Sequence, residues 1–122
     1  MAGIRSKDTR PELLVRSHLH RAGLRFRVHA SELPGTPDMV LPKYRVAIFV
    51  HGCFWHRHPG CSRAYTPKSN RAFWRRKFEA NVMRDAGKVR ALRKAGWRVL
   101  TVWECATTPG RLTRLVARIR AA

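Results

Sequence analysis

Acidic residues are scarce in this chain: 7 aspartates and glutamates stand against 26 lysines and arginines, leaving a net charge of +19 over 122 residues. So lopsided a balance argues against charge carried merely for solubility and points to a polyanionic partner. Nucleic acid comes first, because releasing counterions from phosphates is what dense positive charge does well. An anionic membrane surface is the second candidate; it requires a basic amphipathic helix, which residues 111–120 supply weakly. Long apolar runs are also missing. Nothing approaches the roughly 18 residues a membrane span needs, and no signal peptide is evident, so the expected location is the cytoplasm. Cysteine is down to three residues, a number that cannot pair off within one chain, and a reducing compartment disfavours disulfides. Repeats, linkers and low-complexity tracts are absent too. A chain of 122 residues is expected to be one domain, 1–122, around a single core.

What is present has a clear order. Thr9-Arg10-Pro11-Glu12 reads as a helix start, with Thr9 as N-cap and Glu12 as its capping partner. Leu13, Leu14, His18, Leu19 and Ala22 form one face until Gly23 stops it. Residues 24–28 alternate as a half-buried strand does, a turn covers 32–37, and 38–41 is a short strand closed by Pro42. Residues 45–50 are a continuous apolar run, the pattern of a central strand covered on both faces. Asn70 is expected to cap a basic helix over about 72–95, with Phe73, Trp74, Phe78, Val82, Val89 and Leu92 inside and Gly96 at its end. Residues 97–103 form a fourth strand, and an amphipathic helix follows Pro109 and Gly110. Short turns imply antiparallel pairs, and the long helix between strands implies a parallel one. The expected fold is therefore α/β, a mixed sheet with helices on both faces.

The densest chemistry is HGCFWHRHPGC, residues 51–61, directly after the central strand. Cys53, His58 and Cys61 are spaced C-x4-H-x2-C, and Cys105 lies at the end of the fourth strand. If the third and fourth strands are neighbours, Cys105 completes a Cys3His tetrahedron, closed and structural, suited to zinc. Otherwise these are free cysteines and a surface histidine. His51 and His56 fall outside that set and are candidates for general acid or base, although a single histidine is more often packed or solvated.

Among so few carboxylates, Asp38 follows Pro37 at a strand start, where it could hold magnesium or simply cap its own turn. Glu12 has a sufficient role as the capping partner of Thr9. Asp85 pairs with Lys88 along the long helix, or orients a histidine. Phe54 and Trp55 sit in a loop with little core near them, so they are expected to be exposed and able to insert between base steps.

Taken together, RSKDTRPE at 5–12, LPGTPD at 33–38, VAIFVHGCFWH at 46–56, NVMRD at 81–85, GWRVL at 96–100 and VWEC at 102–105 resemble the very short patch repair (Vsr) endonucleases. The resemblance implies the restriction-endonuclease-like PD-(D/E)xK fold and an enzyme that nicks one DNA strand 5′ of the thymine in a T:G mismatch. It implies Mg2+ held by Asp38 and by the backbone carbonyl of Val50, which stands where some members carry threonine. His56 matches the histidine that acts on the attacking water, Asp85 the carboxylate that orients it, His51 a histidine near the scissile phosphate, and Glu12 a glutamate that reaches water on the metal. Cys53, His58, Cys61 and Cys105 match structural Zn2+ ligands, and Phe54 and Trp55 an aromatic wedge. Asn81 falls in a DNA-contacting stretch. Met1 falls where a methionine at the end of an N-terminal arm inserts from the opposite groove. The implied partner is double-stranded DNA with a T:G mismatch, bound by a monomer in the bacterial cytoplasm at the nucleoid and open to coupling with other mismatch-repair proteins. Rival readings are a same-fold nuclease of other specificity and a zinc-stabilised DNA-binding module without catalysis. A histidine-metal (HNH-type) nuclease needs a further histidine on a later helix, and none follows His58.

Overall fold

Helix α1 starts as its sequence predicts. In the computed structural model, which describes residues 8–121, Thr9 Oγ1 accepts from the Glu12 amide at 3.4 Å and Glu12 Oε2 accepts from the Asp8 amide at 2.9 Å. Donors at the helix start are thereby satisfied, and α1 runs Arg10–Arg21. Its inner face differs from the expected one: Glu12, Val15 and Leu19 are buried, while Leu13 and Leu14 are exposed. Residues three and four apart share a side, so the buried three line up and the leucine pair turns away. Met1 lies outside the described residues.

Four strands form one sheet in the order β1-β2-β3-β4, with β1 at Arg27–Val28, β2 at Met39–Leu41, β3 at Val46–His51 and β4 at Arg98–Trp103. The first two pairings are antiparallel and β3 with β4 is parallel, as the connection lengths imply. Strand β1 is shorter than expected. Leu24 and Phe26 join the core, but only Arg27 and Val28 find partners, opposite Val40 and Met39. Every residue of β3 is buried, which accounts for its unbroken apolar run. A tight 3-10 turn, Pro42–Tyr44, joins β2 to β3.

Helices cover both faces. On one, Val15 and Leu19 of α1 meet Leu112, Leu115, Val116 and Ile119 of α3 (Pro109–Arg120) over Met39, Leu41, Ile48 and Leu100. Burying a side chain such as Leu115 or Ile119 contributes roughly 1.5–3 kcal/mol. The apolar side of α3 is therefore committed to the core and not free to lie on a membrane. No helix among the described residues is long and apolar enough to cross one.

On the other face, Leu92 of α2 (Arg71–Lys94) packs with Val40, Ala47 and Phe49. Only Phe78 and Leu92 of α2 are buried, whereas Phe73 and Val82, expected inside, are exposed. Length explains the difference. A helix of 24 residues spans about 36 Å, but a strand of six residues only about 20 Å, so the first half of α2 overhangs the sheet. That overhang packs on the loop after β3 instead. Asn70 occupies the N-cap position in a left-handed conformation, φ 55°, and makes no capping hydrogen bond through its side chain.

Candidate active site

Parallel register sets the site. His51, the last residue of β3, pairs with Trp103, the last of β4, so both strands release their following loops at the same edge. Those loops carry Cys53, His58 and Cys61 on one side and Cys105 on the other, and the four ligand atoms lie within 4.8 Å of one another. His58 Nδ1 is 3.6 Å from Cys53 Sγ and 3.4 Å from Cys105 Sγ. Ligands of a tetrahedral zinc stand about 3.5–3.8 Å apart, so the donor set fits that ion. Burial pushes the Cys53 thiol up to about 12, and a bound cation would reverse that preference. Glu104 Oε1 accepts from the Cys53 amide at 2.9 Å, and Trp103 stacks on His58 at 4.3 Å. Neither residue was given a role from the sequence, although both lie in the VWEC stretch that ends at Cys105.

Beside this cluster opens a cleft of about 1080 Å³ lined by Glu12, Asp38, Val50, His51, His56 and Asp85, among others. Asp38 does not cap its own turn. Its Oδ2 accepts from the Val50 amide at 2.7 Å, across from β2 to β3. Burial raises its pKa to about 6 and the nearby Glu12 carboxylate adds to the rise, against the opposing pulls of the Val50 amide, His29 and His56. A half-buried carboxylate with a second, buried one close by is a site that a cation would stabilise. Glu12 itself is 2% exposed and accepts from Arg16 at 3.1 Å, so its capping role and its place in the cleft coexist.

The two histidines stack face to face, with centroids 3.8 Å apart and planes within 4°. His51 is 8% exposed; burial, then the neighbouring His56, lowers its pKa to about 4, so it is neutral near pH 7. His56 Nδ1 lies 2.7 Å from Asp85 Oδ2, which fixes the ring and leaves Nε2 as the free nitrogen. Asp85 therefore bonds a histidine and not Lys88.

Asp8, Glu12 and His29 form a third group with metal-ligand spacing, but Arg16 already fills it. Its guanidinium stands 2.8 Å from Asp8, 3.1 Å from Glu12 and 3.1 Å from His29.

Phe54 and Trp55 are half-buried, not exposed. Phe54 meets Trp55, Phe78 and Trp74 edge to face at 5.0, 5.3 and 6.0 Å, while Trp55 lies 6.0 Å from Trp74. The overhanging half of α2 supplies the walls that sequence proximity could not reveal. Asn81 donates to the Trp55 carbonyl at 3.1 Å and also lines the cleft. Arg57 clamps the segment: it stacks 3.8 Å over Phe78 and donates to the carbonyls of Phe54, Ala64 and Tyr65. Its left-handed backbone, φ 55°, had no signal in the sequence.

Known proteins share this chain's pattern. The family model described as "DNA mismatch endonuclease Vsr" matches residues 1–63. "Type II nicking enzyme V.XorIIP" of Xanthomonas oryzae is 52% identical over 120 residues, covering 98% of this chain and 86% of its own. "Type II nicking enzyme V.NmeAIP" of Neisseria meningitidis is 43% identical over 98% of this chain and 89% of its own. "DNA mismatch endonuclease Vsr" of Escherichia coli is 46% identical over 106 residues, 87% of this chain and 67% of its own.

Proposed function

Because the chain belongs to the Vsr family of DNA mismatch endonucleases, we propose that it nicks DNA 5′ of the thymine in a T:G mismatch, as one domain acting as a monomer. Such a nick would initiate very short patch repair where 5-methylcytosine has been deaminated. The observation that carries this reading is the cleft itself, in which the half-buried Asp38, a histidine held by a second carboxylate and a further neutral histidine converge beside an aromatic ridge.

Asp38 and the Val50 carbonyl would hold Mg2+, which when bound polarises a phosphate and makes water a better nucleophile. His56 takes the proton from the attacking water at Nε2, and Asp85 holds the opposite edge of the ring and stabilises the resulting imidazolium. The new bond joins water oxygen to phosphorus and the P–O3′ bond breaks. The leaving oxygen takes a proton, giving a 3′-hydroxyl and a 5′-phosphate. His51, neutral and stacked on His56, keeps that ring aligned without adding charge. Phe54 and Trp55 press into the stack, where a mismatched step costs less to open than a paired one. Cys53, His58, Cys61 and Cys105 would hold Zn2+ and brace the ridge.

The test is nicking of a labelled T:G duplex beside a fully paired control, with and without magnesium. Magnesium-dependent nicking of the mismatched duplex alone is expected, and loss of it in Asp38→Ala and His56→Ala. Equal cutting of both duplexes would overturn the mismatch specificity, and full activity in both variants would overturn the site. Relatives named as nicking enzymes, with no mismatch in the name, support a second reading, a nuclease of the same fold with other DNA specificity. Duplexes with varied flanks distinguish the two.

A further inference from the structure

Among the described residues three cations line the cleft, Lys77, Arg84 and Lys88, and they differ in depth. Lys77 and Arg84 are exposed, where solvent and salt screen them, whereas Lys88 is half-buried. Its stem lies on the turn that leads into Asp38. A Cβ built on Gly35 would stand 2.6 Å from Lys88 Cγ, 2.7 Å from its Cβ and 3.0 Å from its Cδ, so the side chain needs the space a glycine leaves. The glycine is required twice, because its φ is +73°.

Among the described residues no carboxylate pairs with Lys88. Asp85, one turn earlier on α2, is engaged by His56. Packing of the stem on Gly35 limits where the unpaired ammonium can reach, and an anion arriving in the cleft would pair with it. Lys88 lines the same cleft as His51, His56 and Asp38.

Resting on the endonuclease reading above, we propose that Lys88 is a catalytic residue that contacts a non-bridging oxygen of the scissile phosphate. An ammonium group offers three donors to that oxygen. Negative charge gathers on the non-bridging oxygens as water attacks, so a cation held in place by the Gly35 turn stabilises the transition state more than the ground state. No proton leaves Lys88 in this step. Exposed Lys77 and Arg84 are better suited to general attraction of the DNA backbone.

The experiment measures single-turnover nicking of the T:G duplex by the full chain with magnesium, together with duplex affinity without it. Lys88→Ala and Lys88→Gln are expected to slow nicking about 100-fold, with Lys88→Arg recovering part of the loss. A second measurement reads the contact directly: duplex affinity with either the natural linkage or a neutral methylphosphonate at the scissile position. Methylphosphonate should weaken binding by the wild type at least threefold more than binding by Lys88→Ala. A Lys88→Ala rate within about threefold of wild type, or equal methylphosphonate penalties in the two proteins, overturns the assignment of Lys88 alone. Wild-type protein that nicks no duplex overturns the endonuclease reading itself.

Discussion

Residues 51–61 feed two sites that interleave in sequence and contrast in space. Cys53, His58 and Cys61 turn inward to meet Cys105, and their ligand atoms face one another within 4.8 Å. His51 and His56 turn the other way, stack on each other, and border an open cleft of about 1080 Å³. A closed donor set leaves no position for a substrate, which suits a structural ion; an open one with an oriented histidine suits chemistry. Alternation along the loop lets the rigid cluster position the reactive one without sharing a residue with it.

If this division is right, the two sites should fail in different ways. The largest effect is expected at the closed cluster. Cys53→Ala, or chelation of the zinc proposed for this cluster, should unfold the 51–66 loop and lower stability strongly, since structural zinc binding is worth on the order of 10 kcal/mol. Metal analysis beside thermal melting checks this, and an unchanged melt without zinc would break the comparison. Next comes the open site: His56→Ala should lower the nicking rate about 10²–10⁴-fold while zinc content and melting temperature stay as in wild type.

A third prediction sharpens the contrast through pH. Asp38 has a folded-state pKa raised from 3.8 to about 6, so proton uptake favours the folded chain. The stability conferred by the protonated form is fully present below about pH 4 and is lost as pH rises through about 6. Asp38→Asn keeps an oxygen for the Val50 amide but never ionises. Without magnesium it should raise stability above pH 6 by about 3 kcal/mol at most, leave it unchanged below pH 4, and abolish nicking. Melting curves at pH 3.5 and 7.5 decide it, and equal shifts at both values would sink the cause assigned.

The smallest effect concerns the bridge between the regions. Arg57→Met keeps the stem but loses the guanidinium over Phe78 and its donations to three carbonyls, so stability should fall by about 1–2 kcal/mol. Affinity for mismatched over paired duplex should narrow as Phe54 loses its support. A preference identical to wild type would remove Arg57 from the positioning of the ridge.

Some of this was readable from the chain alone and some was not. The apolar run of β3, the Thr9 cap and the connection lengths announced themselves because they depend on neighbours a few residues apart. Readings of α2 failed where they assumed that the helix and sheet match in length: Phe73 and Val82 overhang into solvent, while Phe54 and Trp55 gain walls from Trp74 and Phe78. Asp85 is a different case. Local spacing offered Lys88 as its i,i+3 partner, whereas the resemblance implied that it orients His56, and that bond spans 29 positions and depends on where α2 crosses the loop.

By itself the sequence determined the order and type of the elements, the +19 charge that implies a polyanion, and the local triad of Cys53, His58 and Cys61. Only the tertiary structure decided that Asp38 reaches Val50 and that Lys88 lies against Gly35 in the cleft, and it brought together the pairs that the resemblance had implied, Cys105 with the triad and Asp85 with His56. The physical reason is register. Side chains far apart in the chain meet only where strand pairing and helix packing set their positions, and a shift of one residue between β3 and β4 would displace the loop that carries Cys105 from the one that carries Cys53, His58 and Cys61.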